Sequence, residues 1–145
     1  MNYFFPNKKF IVAEIGNNHE GSFNVAKKLI LKAKEAGVDA VKFQTFKTES
    51  YTSKINKKRF NLLKKFELSK EDFFRLSVIS KKNKLKFIST PLDFDSANFL
   101  SKILNFFKIS SGDNNFISLI SHVAKFNKPI ILSTGLSDLK LIQRS

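Results

Sequence analysis

Cysteine and tryptophan are absent from this chain of 145 residues, and proline and glycine number only three and five. Without cysteine there is no disulfide and no thiolate metal site, a pattern that suits the cytoplasm. No linker, low-complexity tract or close repeat breaks the sequence. Long apolar runs are missing too: Lys interrupts every stretch that approaches the roughly 18 residues a membrane helix needs. In the opening MNYFFPNKKFIVAEIG the charges precede a short apolar run. Glu14 follows at once and no small-residue cleavage site appears, which argues against a signal peptide. Acidic residues are also scarce, 12 against 26 basic ones, so the formal charge is +14.

That charge invites a nucleic-acid reading. Arg occurs only at positions 59, 75 and 144, however, so 23 of the 26 basic residues are Lys. They are spread over nearly every predicted helix instead of one stripe. A surface built to grip phosphates or bases would favour the planar fork of Arg. Abundant Lys, Asn, Ile and Phe look like a codon bias toward A and T. The hydrophobic share of 42%, with 17 Phe, fits a globular domain with a real core.

Apolar runs alternate with amphipathic stretches. Strands are expected at Phe10–Ile15, Val38–Phe43, Leu85–Ser89, Phe106–Ile109 and Pro129–Leu132. Between the first two, Ser22 can cap a helix with Phe23, Ala26, Leu29, Ile30 and Ala33 at helical spacing, stopped by Gly37. A longer polar connection, TFKTESYTSKINKKRFNLLKK, precedes a helix that Ser69 and Asp72 open with capping-box spacing. Asp95 is placed to cap the next helix and Ser137 the last. Continuous apolar strands alternating with helices are the mark of a parallel sheet covered by helices. A doubly wound sheet and part of a (β/α)₈ barrel both fit. At roughly 31 residues per barrel unit, the chain supplies about four and a half.

Every expected strand ends in polar groups: Glu14; Lys42 and Gln44; Ser89 and Thr90; Lys108 running into Ser110, Ser111, Gly112 and Asp113; Ser133, Thr134 and Gly135. In parallel α/β folds the C-terminal strand ends form the active-site face. Two strand lysines, several hydroxyls and a small-residue turn suit an anion: ammonium groups neutralise phosphate or carboxylate, and hydroxyls and turn N–H groups complete the bonding. Glu14 and Gln44 would suit a polyhydroxylated ligand. No glycine-rich nucleotide fingerprint occurs. A strand Lys is also commonly a snorkelling residue, and Ser/Thr pairs before Pro or Gly are commonly turn residues. His122, midway along a helix, reads as a surface or satisfied-core residue. His19 sits in the first loop with no metal-ligand partner at a recognisable spacing.

IVAEIGNNHEG, AGVDAVKFQTF, ELSKEDF, KFISTPLDFDSANFL, FKISSGDNN and KPIILSTGLS, in this order, resemble the N-terminal part of the sialic acid synthase family, from about Phe10 to the end. That family comprises N-acetylneuraminate synthase and the related legionaminic and pseudaminic acid synthases. The resemblance implies a (β/α)₈ barrel, present here as about strands 1 to 5 and truncated before closure, with the later strands and a C-terminal antifreeze-like domain absent. It implies condensation of phosphoenolpyruvate with an N-acetylated sugar aldehyde such as N-acetylmannosamine. Phosphate and a nonulosonic acid for surface polysaccharide would be the products. A divalent metal, Mn²⁺ or Mg²⁺, is expected for the full-length family, whose histidine ligands lie on later strands, so no metal residue is expected in this chain. A homodimer is expected for the full-length family.

By motif, Lys42 and Lys108 would hold the phosphate and carboxylate of phosphoenolpyruvate, with Thr90, Ser111 and Ser133 adding hydroxyls. Glu14 and Gln44 would meet the sugar. Asp113 stands where the family carries Glu, which sets the carboxylate back by roughly 1.3–1.5 Å, a displacement large enough to impair catalysis. The chain is expected to be a fragment, or a gene product that has lost its second half, and inactive alone. Two other readings remain: a basic module for nucleic acid or another anionic polymer, and a residual phosphoenolpyruvate-binding half that needs a partner chain.

Overall fold

A computed structural model describes residues 9–144. The leading residues used to argue against a signal peptide, and Ser145, lie outside the described residues. Five strands occur: β1 (Val12–Gly16), β2 (Ala40–Thr45), β3 (Lys86–Pro91), β4 (Phe107–Ile109) and β5 (Ile130–Leu132). The helices are α1 (Phe23–Glu35), α2 (Thr48–Tyr51), α3 (Lys57–Phe66), α4 (Lys70–Lys82), α5 (Phe94–Leu100), α6 (Ile117–Ala124) and α7 (Leu139–Arg144). No helix among the described residues is long and apolar enough to cross a membrane.

The winding is sequential. β1, β2 and β3 form one parallel ladder and β4 and β5 another, with β4 lying beside β3. A doubly wound sheet would reverse direction at a switch point; here each strand is added on the same side of the last. This is part of a (β/α)₈ barrel with the sheet not closed. Among the described residues, β1 and β5 each have a strand neighbour on one side only, and all three residues of β5 remain half-buried.

The period-two alternation of strands sorts the side chains. Val41, Phe43 and Ile15 face the helices and join Ile30 of α1 and Phe73 and Leu76 of α4 in one core. Phe107 and Ile109 do the same with Leu100, Leu119 and Val123 in a second. The other strand face begins apolar, where Ala40, Ile88 and Phe106 pack with Val12 and Ile131. Two residues further along, that same face carries Glu14, Lys42, Thr90, Lys108 and Ser133. An apolar floor therefore underlies a polar rim.

Local signals explain most boundaries. Ser22 Oγ accepts from Val25 N–H at 3.3 Å and Ser69 Oγ from Asp72 N–H at 3.0 Å. Gly37, at φ +78°, ends α1 as expected. Two cap assignments are corrected. Asp93, not Asp95, caps α5: its carboxylate is buried and takes the N–H groups of Ser96 and Lys47, both at 2.7 Å. Asp95 instead pairs with Lys70 in solvent at 2.7 Å. At α7, Asp138 accepts from Leu141 N–H at 2.8 Å, while the Ser137 hydroxyl accepts from Asn114.

The stretch read as a polar connection holds α2 and α3, neither long nor strongly apolar. Glu67 pins them. Its side chain is 8% exposed, and it accepts from Thr48 N–H at 2.9 Å, Thr48 hydroxyl at 2.8 Å and Lys47 ammonium at 3.0 Å. Burial by itself would raise the Glu67 carboxyl, but these bonds and the Lys47 charge bring it from the ordinary 4.5 to about 2. The unfolded chain therefore binds the extra proton first, so this stabilisation is complete above the ordinary value and disappears as pH falls toward about 2. Linkage sets its ceiling near 3 kcal/mol. Screening at the half-exposed lysines lowers it to about 1–2 kcal/mol. Denaturation of Glu67→Gln and wild type should thus differ at neutral pH and converge near pH 2; a gap independent of pH would remove the carboxylate from the account.

Candidate functional site

The backbone register assembles the rim. Glu14 lies opposite Lys42, and Gln44 opposite Thr90. A register irregularity between Glu14 and Gly16, with Gly16 at φ +56°, turns the chain out of β1 into the first loop. The Glu14 carboxylate reaches Lys42 Nζ at 3.0 Å; the lysine side chain is 9% exposed and the acid 60%. Lys42 is thus the deep partner, held from below by the floor and facing an acid that water also solvates.

From the second ladder, Lys108 Nζ donates to Ser133 Oγ at 2.5 Å and to the Ile109 carbonyl at 2.7 Å. Burial lowers the pKa of this ammonium, and the nearby Lys42 charge lowers it further against the opposing influence of Glu14 and Asp113. The two lysines therefore sense each other across the space between β2 and β4. No carboxylate bridges to Lys108 among the described residues. An anion between the two would relieve both the repulsion and the desolvation.

Around them, Thr90 Oγ1 is buried with no hydrogen-bond partner among the described residues. Ser111 opens a short 3₁₀ turn, Ser111–Asp113. A Cβ built on Gly135 would lie 3.9 Å from Ser111 Oγ, so the loops after β4 and β5 are in contact. The Asp113 carboxylate turns back to its own turn and accepts from the Ser110 hydroxyl. Gln44 is engaged by a residue the sequence reading had not selected: Asn17 Nδ2 donates to Gln44 Oε1 at 2.8 Å. Asn114, also unselected, donates to the Ser133 carbonyl at 2.6 Å and so ties the β4 loop to the end of β5. Both lie in Asn-containing stretches just past a strand end, which was the only signal available.

The site residues thus form two linked groups. Glu14, Lys42, Gln44 and Thr90 stand on the three-stranded ladder, and Lys108, Ser111, Asp113 and Ser133 on or just after the two-stranded one. The histidines take no part in the rim. His122 Nε2 meets Asn98 Oδ1 at 2.8 Å and packs against Phe94 and Phe126. His19 is buried against Phe43, and its Nδ1 accepts from Gly21 N–H at 3.1 Å. Burial lowers its pKa and favours the neutral ring. Exposed lysines occur on α1, α3 and α4 alike.

Sequence and fold relate this chain to known proteins. A protein of Methanocaldococcus jannaschii is 46% identical over 131 residues, covering 90% of this chain and 39% of its own length. The N,N'-diacetyllegionaminic acid synthase of Legionella pneumophila is 37% identical over 148 residues, covering 92% of this chain and 42% of its own. The crystal structure of N-acetylneuraminic acid (sialic acid) synthetase from Leptospira borgpetersenii, in complex with citrate, superposes with a TM-score of 0.90 at 36% identity. It covers 94% of this chain and 48% of that one. The chain therefore spans less than half the length of each of the last two. The sequence profile of the NeuB family matches residues 29–145, from α1 through the last described helix, and the chain belongs to that family.

Proposed function

We propose that this chain supplies the phosphoenolpyruvate-holding part of a sialic-acid-type synthase, which joins phosphoenolpyruvate to an N-acetylated sugar aldehyde and releases phosphate. The observation that carries this reading is the pair Lys42 and Lys108, electrostatically coupled on one strand face with hydroxyls around them. Phosphoenolpyruvate presents two anionic groups on a three-carbon frame, and two ammonium groups over an apolar floor are their complement. Ser133, Ser111 and Thr90 donate to its oxygens. Glu14 and Gln44 face the acceptor, Gln44 with its orientation fixed by Asn17. Asp113, bonded to Ser110, stays at the edge.

The family's divalent cation does not fit the described residues alone. No three His, Cys, Asp or Glu side chains gather among them, and His19 already spends one nitrogen on Gly21. What these residues do themselves is bind the enolic phosphate and carboxylate and orient the reacting carbon toward the acceptor.

The reading is tested by ³¹P NMR titration of the 145-residue protein with phosphoenolpyruvate, using inorganic phosphate as competitor. Saturable binding displaced by phosphate is expected. With N-acetylmannosamine and Mn²⁺ added, no phosphate release above background is expected from this protein. Absence of binding would overturn the anion site, and turnover would overturn the division between holding and reacting.

A further inference from the structure

We propose that the cleft between α4 and the turn that follows α5 binds an amphiphilic anion, a flat apolar body carrying one acidic group. This site is separate from the rim and lies at the opposite end of the strands. Lys86 opens β3, and Thr90 stands four residues further on, roughly 13 Å along the strand.

Unequal helices open the cleft. α4 has 13 residues and α5 only 7. Both pack on β3 but scarcely on each other, so the last turns of α4 face a gap that a longer α5 would fill. The gap is a cavity of about 490 Å³, within the range of small-molecule sites. Phe74 and Val78 of α4, with Phe87 of β3, form its apolar wall. Phe74 is 52% exposed and Val78 37%, so that wall stands open to solvent.

Charge sets the class of ligand. Lys81, Lys86 and Lys102 line the same cavity, and no acid does. Among the described residues none of the three is ion-paired. Lysines near helix ends commonly serve the terminal carbonyls, but here other groups do so. The backbone N–H and side-chain amide of Asn83 take the last carbonyls of α4, the amide reaching Ile79 at 2.8 Å. Lys128 donates to the carbonyls of Ser101 and Leu104 beyond α5, the second at 2.6 Å. The three cleft ammonium groups therefore remain available to an acidic group, while an apolar body covers the wall and displaces its water. A small inorganic anion would leave the wall wet, and a neutral hydrocarbon would leave the lysines unmatched.

The test is fluorescence titration of the 145-residue protein with 8-anilinonaphthalene-1-sulfonate, beside N-phenyl-1-naphthylamine, the same skeleton without the sulfonate. One equivalent of the sulfonate should bind, about tenfold more tightly than the neutral amine. Lys102→Glu, which reverses one charge at an exposed position, should weaken it about tenfold. Val78→Asp should weaken it by about as much, since it spoils the apolar wall. Lys58→Glu makes the same change of net charge on α3, outside the cleft, and should leave the affinity unchanged. An equal loss with Lys58→Glu would reduce the effect to overall charge and overturn the proposal. So would equal affinity for the neutral amine, or indifference to both cleft substitutions. Displacement of the probe by phosphoenolpyruvate would place it at the rim instead and overturn the proposal as well.

Discussion

Lys42→Ala is expected to weaken binding of phosphoenolpyruvate, and of inorganic phosphate, by about 2–5 kcal/mol, the cost of truncating one partner of a buried charge pair. Three influences compete. Loss of the ammonium removes a direct contact made by a buried side chain. Relief of repulsion on Lys108 works the other way, but that lysine is already an ammonium when a dianion is bound, so the gain is small. Folding is affected least, because Glu14 is 60% exposed and returns to water when its partner leaves; surface-type pairs contribute about 0–1 kcal/mol. Binding should therefore fall by far more than stability. Calorimetric titration beside thermal unfolding separates the two, and unchanged affinity in a folded mutant would make Lys42 a structural residue.

Gly21→Ala should destabilise the fold by about 2–6 kcal/mol, despite adding a single methyl group. Gly21 sits at φ +81°, and a Cβ built on it would lie 2.0 Å from the backbone oxygen of Lys65 near the end of α3. A strained backbone of this kind costs about 1–3 kcal/mol, and forced overpacking about 1–3 more. The obstruction is backbone, so no side-chain rotation relieves it. Either the first loop or α3 must move, which would disturb the His19–Gly21 bond and the Glu67 anchorage together. Urea unfolding would read the loss, and hydrogen exchange should show α3 opening first. A change below about 1 kcal/mol would mean that α3 slides freely on the loop.

Ser22, Gly37 and Ser69 were legible in the sequence because each acts within a turn of its own position. The polar strand ends were legible because alternation and apolar runs located the strands, and the register then brought Glu14 to Lys42 and Gln44 to Thr90. Asp93 and Asp95 stand equally well for a cap by local criteria; the Lys47 N–H, distant in sequence, selects Asp93. α3 buries no residue completely; its short stripe of Phe60, Leu63 and Phe66 is only half-buried and lies among lysines, and its anchor is an acid that lies just beyond it. The burial of His19 depends on the ring of Phe43, which belongs to a different strand.

The division of the strands into two ladders bears on how such a site changes over evolutionary time. Lys42 belongs to one ladder and Lys108 to the other, and between them β3 and β4 lie side by side without a shared register. Their relative placement rests on side chains that both cores share, Phe87 and Phe99, and on the floor of Ala40, Ile88, Phe106 and Ile131. Exchanging a ring there for a smaller or larger group would alter the span between the two ammonium groups while leaving every strand hydrogen bond intact. A lineage could thus refit the cradle to a longer or shorter dianion through residues that never touch it.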